Sequence, residues 1–353
     1  MDFGVEHVVV TGAGGWLGRN LVRALLGGLA DHPRLAEPDG RIRVRCLLLP
    51  GEDAAELTAL SERVEPVVGD LTDPAACQEL FAGTRGAVLF HTAGLIHPRR
   101  VRDFYRVNVR GTETLLDAAE AAGVRRAVVV SSNSPFGTNP HADHLFDEHS
   151  PYHPYMHYGR SKMQMELAVR RRVEGGRLDA VLIRAPWFYG PYQPPRQSQF
   201  FTMIRQGKGP IVGGGENRRS MAYVDNLCQG LLLAALTEAA AGKAYWIADR
   251  RPYTMNEVID TVERLLEQEF GLPVAHKRMR LPGLASEVAW CCDFALQSLG
   301  LYHQKIHVLS EMNKHIACSV ALAQRELDYR PAVELEEGMR RSIRWCLDQG
   351  LTL

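Results

Sequence analysis

The strongest constraint on this chain lies near its start, in Val8-Val9-Val10-Thr11-Gly12-Ala13-Gly14-Gly15-Trp16-Leu17-Gly18. A short apolar strand (His7–Val10) runs into glycines, and the glycines open onto a helix from about Trp16 to Leu26. Gly12 allows the tight turn, and Gly15 lets the backbone approach a pyrophosphate. Gly18 lets the helix pack closely on the strand. The helix start, with Gly14, Trp16 and Leu17 around it, offers free N–H groups and the positive end of a dipole to phosphates.

The segments that follow keep the strand–helix alternation of a parallel sheet with crossover helices. Strands are expected at Val44–Leu49, Val64–Val68, Ala87–His91, Ala127–Val130 and Ala180–Ile183, and helices at Val107–Ala122 and Tyr158–Arg172. The stretch Gly27–Arg41, rich in Pro, Gly and charge, reads as a long surface loop. Beyond Arg184 the pattern changes to aromatic, Pro-rich loops, a glycine cluster (Gly213–Gly215), an apolar helix (Asn226–Ala235) and a mostly helical last hundred residues. The fold class expected is α/β, a Rossmann-type doubly wound parallel sheet with a smaller, mostly helical C-terminal substrate region. Residues 1–184, with return segments near 222–250, form the dinucleotide-binding part. Residues 185–221 and 251–353 form the substrate part.

Composition narrows the function. Of 353 residues, 46% are hydrophobic and 23% charged, and 41 Lys+Arg balance 41 Asp+Glu. That balance leaves no net basic field for nucleic acid and no basic run suited to anionic lipid. No uncharged apolar run reaches the length of a membrane span, and the N-terminus lacks a signal-peptide layout. Seven scattered cysteines without a Cys-x-x-Cys pair read as reduced thiols. A cytoplasmic protein acting on a small molecule is expected.

Tyr158-Gly159-Arg160-Ser161-Lys162 places a phenol and an ammonium one helical turn apart on one face. A free tyrosine, with a pKa of about 10, is a poor base. A neighbouring lysine charge favours the phenolate, and the phenol can then exchange a proton with a substrate hydroxyl or carbonyl. Ser132 is expected at the C-terminal edge of the fifth strand, where open parallel sheets bind ligands. Its hydroxyl is placed to hold the substrate oxygen, with Ser131 and Ser134 as competitors.

On these three pieces the chain resembles the extended short-chain dehydrogenase/reductase family. Further matches are Gly69-Asp70-Leu71, His91-Thr92-Ala93-Gly94, Asn108-Val109-Arg110-Gly111-Thr112, Ser131 through Gly137, Arg184 through Pro191, Tyr223-Val224-Asp225-Asn226 and Leu327 through Pro331. The resemblance implies a hydride moved between a substrate carbon and nicotinamide. It implies Ser132, Tyr158 and Lys162 as catalytic residues, Lys162 holding the ribose and tuning Tyr158. Asp70 and Leu71 would lie at the adenine, Thr92, Ala93, Gly94 and Asn108 along the dinucleotide, and Pro186 and Trp187 near the nicotinamide. It also implies a homodimer through the helices Val107–Ala122 and Tyr158–Arg172.

The cofactor is NAD or NADP. Leu49 takes the place where Asp would mark NAD or Arg NADP, and Glu52 and Asp53 follow close enough to reach the ribose hydroxyls, which leans toward NAD. Nearest in the family is the 3-beta-hydroxysteroid-dehydrogenase-like and dihydroflavonol-reductase-like branch. There the apolar segment Val288–Leu301, with Trp290 and Phe294, either covers a lipophilic substrate or is plain core. A nucleotide-sugar epimerase with tightly bound NAD is the alternative. Arg219 favours it as a diphosphate ligand, while Trp187 stands where sugar enzymes carry Asn. A dehydratase is disfavoured, since Ser132-Asn133-Ser134 has no carboxylate. Ser134, Trp187, Gln193 and Arg219 are the substrate-site candidates, with Arg196 and Gln199 beside them. The five histidines between His141 and His157 fit no compact metal motif and read as a loop at the substrate mouth.

Overall fold

The computed structural model describes residues 1–353. Its main sheet contains β1 (His7–Thr11), β2 (Arg43–Leu48), β3 (Val64–Val68), β4 (Val88–His91), β5 (Arg126–Ser132), β6 (Ala180–Ala185) and a seventh strand, Ala244–Trp246. The order is Ala244–Trp246, β6, β5, β4, β1, β2, β3, and every pair is parallel. The chain therefore reverses direction across the sheet between β1 and β4. That reversal opens a crevice at the strands' C-terminal ends, where such sheets take their ligands.

Strand periodicity explains the two cores. Alternate residues of a strand face opposite sides. Val8 and Val10 point to one face, with Leu21 and Leu25 of the helix Trp16–Gly27 and Leu227 and Leu231 of the helix Val224–Leu236. Val9 points to the other, with Leu89, Leu115, Leu116, Val129 and Met165. The first core runs on without a break to Met339 and Ile343 of the C-terminal helix Leu335–Asp348.

Three local features depart from expectation. Helix begins at Val101, ahead of the expected Val107, and passes through a wider π-type turn at Tyr105–Gly111 before continuing as Thr112–Ala122. The seventh strand was not among those expected. The stretch Gly27–Arg41 is not a simple surface loop, because Leu35 and His32 are fully buried and the His32 ring bonds the Asp328 carbonyl at 3.0 Å.

Two buried polar knots tie distant segments of the chain together. Asp249 accepts bonds from the Tyr189 hydroxyl (2.7 Å), the Tyr223 N–H (2.8 Å) and the Asn226 amide (2.8 Å). Burial pushes its carboxyl up to about 6. The Tyr223–Asn226 segment is thus explained by structure. In the second knot, Arg184 on β6 meets Glu166 on the helix Met156–Glu174 at 3.0 Å, both fully buried. The Tyr152 hydroxyl donates to the same carboxylate at 2.7 Å, and the guanidinium lies 4.3 Å over the Phe136 ring. Removing one partner of such a pair strands the other charge. Glu166→Ala should cost about 3–5 kcal/mol, read as a lowered urea midpoint. Glu166→Gln, which keeps an acceptor, should cost less.

Candidate active site

The glycine loop packs backbone against backbone. Gly12 has φ +72°, and a Cβ there would lie 2.7 Å from the Ala93 nitrogen. A Cβ on Gly18 would lie 2.1 Å from the Gly12 carbonyl oxygen. Thr92 donates its N–H and hydroxyl to the Thr11 carbonyl. The loops after β1 and β4 are in this way locked side by side at the crevice. Gly15 caps the helix Trp16–Gly27 with no side-chain bond, and no acid stands in its first turn. The N–H groups there meet no competing side chain, so the cradle fits the pyrophosphate of a nicotinamide dinucleotide.

The surrounding residues fall as follows. The Trp16 indole donates to the Pro191 carbonyl at 2.8 Å and packs on Phe188, joining the glycine loop to the Pro186–Pro191 segment. Leu17 and Leu71 are buried. Asp70 accepts from the Thr72 N–H and hydroxyl, both at 2.8 Å, with Arg106 at 3.8 Å. The Asn108 amide, on the π-type turn, is used within the protein. It bonds Leu95 in both directions and donates to the Ser161 hydroxyl, so it fixes the loop after Gly94 against the helix Met156–Glu174. Pro186 is buried, and the backbone of Trp187 pairs with Met221 while its ring meets Phe200 edge-on at 5.9 Å.

Ser132, at the end of β5, and Tyr158, in the first turn of the helix Met156–Glu174, come together. The Ser132 hydroxyl lies beside the phenol, where it favours the phenolate, and 3.3 Å from the Ser134 hydroxyl. Their meeting depends on Gly159, where a Cβ would lie 2.3 Å from the Ser134 carbonyl oxygen. Burial pushes the Tyr158 phenol up to about 12, and the neighbouring Ser132 hydroxyl only partly offsets it. The depression expected from Lys162 is not felt in this arrangement. The Lys162 ammonium is buried and donates to the Val130 carbonyl at 2.8 Å, and burial lowers its own pKa to about 8.

Two substrate-site candidates are already bonded within the chain. Gln193 is buried, with its amide on Ser198 and Cys346, both at 3.2 Å. Arg219 donates to the Glu311 carbonyl at 3.2 Å, with the Glu311 carboxylate at 3.8 Å.

Sequence reasoning missed a polar group beyond Tyr158. The His307 ring bonds the fully buried Asp293 at 2.7 Å, and Gln297 donates to the same carboxylate at 2.9 Å. Burial works against a charge on His307, but the Asp293 bond and the nearby Glu311 raise its pKa overall. The Tyr302 ring lies tilted against His307, with centroids 5.3 Å apart, and its hydroxyl shares a 2.8 Å bond with His97. Phe104 sits between Tyr302 and Tyr158. Deeper in the sheet, His91 links Thr11 (2.7 Å) to Thr112 (2.8 Å), and burial lowers its pKa to about 3. The signal for His91 was its place at a strand end, inside a motif already noted for another reason.

Residues 8–248 match the NAD dependent epimerase/dehydratase family, and the chain belongs to that family. A Sinorhizobium fredii protein, y4nL, named only as uncharacterised, is 52% identical over 97% of this chain and 96% of its own. The Arabidopsis thaliana 3beta-hydroxysteroid-dehydrogenase/decarboxylase isoform 1 is 30% identical, covering 95% of this chain and 78% of its own. Among solved structures, the Streptomyces venezuelae dTDP-glucose 4,6-dehydratase DesIV, with NAD and TYD bound, superposes with a TM-score of 0.72 at 26% identity over 97% of both chains. Relatives thus span dehydrogenase and dehydratase chemistry on one NAD-binding fold.

Two measurements probe this geometry. Gly159→Ala must push the helix Met156–Glu174 off Ser134, and a displacement of about 1 Å at a reacting group costs on the order of 100-fold in turnover. Dinucleotide affinity, set at the glycine loop, should change far less. For Lys162, the unfolded chain binds more protons than the folded one between about pH 8 and about pH 10.4. Stability should therefore rise with pH across that window. Lys162→Met should lack this rise, so its advantage near neutral pH shrinks by on the order of 3 kcal/mol at the alkaline end. Urea titrations of both proteins across the window would show it.

Proposed function

We propose that the protein moves a hydride between nicotinamide and a secondary alcohol or ketone carbon of a lipophilic substrate, with Tyr158 exchanging the proton. The observation that carries this is the convergence of Ser132 and Tyr158 at the end of β5, with Lys162 one turn further along the same helix. When bound, the nicotinamide supplies or accepts the hydride. In the reducing direction the Tyr158 phenol, held protonated by burial, donates its proton to the carbonyl oxygen, which becomes the hydroxyl. The Ser132 hydroxyl holds that oxygen in line. Lys162, one turn further along the same helix, would hold the nicotinamide ribose, as the family resemblance implies. In the oxidising direction the same groups run in reverse.

Glu52 supports NAD over NADP. Its carboxylate accepts the Leu49 N–H at 2.8 Å and lies 2.9 Å from where a Cβ on Gly14 would be. A negative charge beside the glycine loop suits ribose hydroxyls and repels a 2′-phosphate. The pairing of Arg219 with Glu311 weighs against a sugar-diphosphate substrate, because the expected diphosphate ligand already has an acid beside it. The 3-beta-hydroxysteroid relative agrees with an apolar substrate. A homodimer remains part of this reading from resemblance.

The test is the Tyr158→Phe variant with titration of NAD(H) and NADP(H). We expect turnover of apolar secondary alcohols or ketones to fall about 100- to 10,000-fold with NAD affinity unchanged. Mass spectrometry of the purified protein supplies the counter-test. NAD retained through purification, with no net oxidation of any alcohol, would replace this reading by epimerisation.

A further inference from the structure

The segment Leu284–Glu311 forms two helices, Leu284–Ser298 and Gln304–Glu311, and the first of them is inside out. Its buried residues are Ser286, Ala289, Asp293 and Gln297. Its exposed residues include Leu284, Val288, Trp290, Phe294 and Leu299, from 39% exposed at Trp290 to 77% at Leu299. The plain-core reading of this segment does not hold, since Trp290 and Phe294 do not enter the core. They stack on each other in the open, with ring centroids 5.7 Å apart. Half of the chain's large exposed apolar side chains lie on this one hairpin. Scattered apolar residues need no explanation, but a contiguous outward face marks a contact surface.

A basic edge adjoins it. Arg99, Arg100 and Arg102 are exposed and have no acidic partner. Backbone bonds stitch them to the tip of the hairpin: Val101 N–H donates to Gly300, Tyr302 N–H donates to Arg99, and Arg100 bridges Leu301. A groove of about 470 Å³ runs along the seam, lined by Arg100, Arg102, Tyr105, His157, Leu299 and Leu301. One side offers charge to an anion and the other offers apolar surface.

We propose that this face docks the protein on the surface of a bilayer containing anionic phospholipid. The apolar face would sit among the acyl chains near the headgroups, Trp290 at the boundary, and the arginines against phosphate. A second copy of the chain fits less well. A two-fold contact would set the arginines near their own kind, and the hairpin's one outward acid, Glu287, is already paired with Lys314. The hairpin's inner face carries His307 and Tyr302 next to the catalytic helix, so docking would bring the substrate site to the lipid. The proposal rests on the lipophilic-substrate reading for its purpose and is tested without turnover.

The full chain is mixed with vesicles of phosphatidylcholine, or of phosphatidylcholine and phosphatidylglycerol in equal parts, and sedimented. Binding is expected to the anionic vesicles and to weaken as salt rises. Val288→Glu with Phe294→Glu, and separately Arg99→Gln with Arg102→Gln, should each weaken it about tenfold or more while NAD titration stays unchanged. Tyr158→Phe should bind vesicles as the parent does, so a failed catalytic reading leaves this result intact. Absence of sedimentation, or equal sedimentation of parent and both variants, overturns the proposal. So does a dimer seen by light scattering that Val288→Glu with Phe294→Glu dissolves while no vesicles bind.

Discussion

The closeness of backbone to backbone at the C-terminal edge of the sheet governs the rest of the molecule. Between Gly18 and the Gly12 carbonyl, and between Gly159 and the Ser134 carbonyl, there is no room for a methyl group. The first approach sets the helix that opens from the glycine loop, and the second sets the helix that carries Tyr158. Both are contacts of main chain, whose positions follow from the strands and vary little. Side chains added to such a frame inherit its precision, which is what proton transfer over hydrogen-bond distances needs.

Around that frame, charge is buried only where it is answered. Arg184 has Glu166, Asp249 has two hydroxyls or amides and an N–H, and His307 has Asp293. They tie the helix Met156–Glu174 to β6, the segments after Arg184 to one another, and the two helices of the hairpin Leu284–Glu311 to each other. Apolar packing alone fixes how much surface meets, and directional bonds fix which residues meet. Lys162 follows the same rule with a backbone carbonyl as its partner.

The fold was largely legible in the sequence because period-two apolar runs and glycine turns are local signals. Six strands of the sheet and the place of Ser132 and Tyr158 could be read that way. The seventh strand, only three residues long, is set by its pairing with β6 and carries too little pattern of its own. Asp249 and Glu166 looked like ordinary acids, since burial of a charge depends on partners far along the chain. Arg219 matched a motif, but the residue that faces it, Glu311, lies 92 positions away. The inverted helix was partly readable. Its polar residues recur at Ser286, Asp293 and Gln297 within an apolar run, a stripe that could have been read as either face. The triplet of arginines at Arg99–Arg102 was also visible, and its isolation from acids was not.

The hairpin Leu284–Glu311 is joined to the body largely by polar groups. Gln297 accepts from the His157 N–H, Ser310 bonds Tyr155, and Tyr302 bonds His97. A joint of this kind differs from an apolar one in how it behaves when parted. Each separated group can turn to water, so the net loss per bond is small, about 0.5–1.5 kcal/mol. An apolar joint of equal area would resist wetting over its whole extent. The hairpin is thus seated in one register by geometry yet adheres lightly. In hydrogen exchange its amides should belong to the fast-opening part of the molecule, while those of β1 and β4 exchange only with global unfolding.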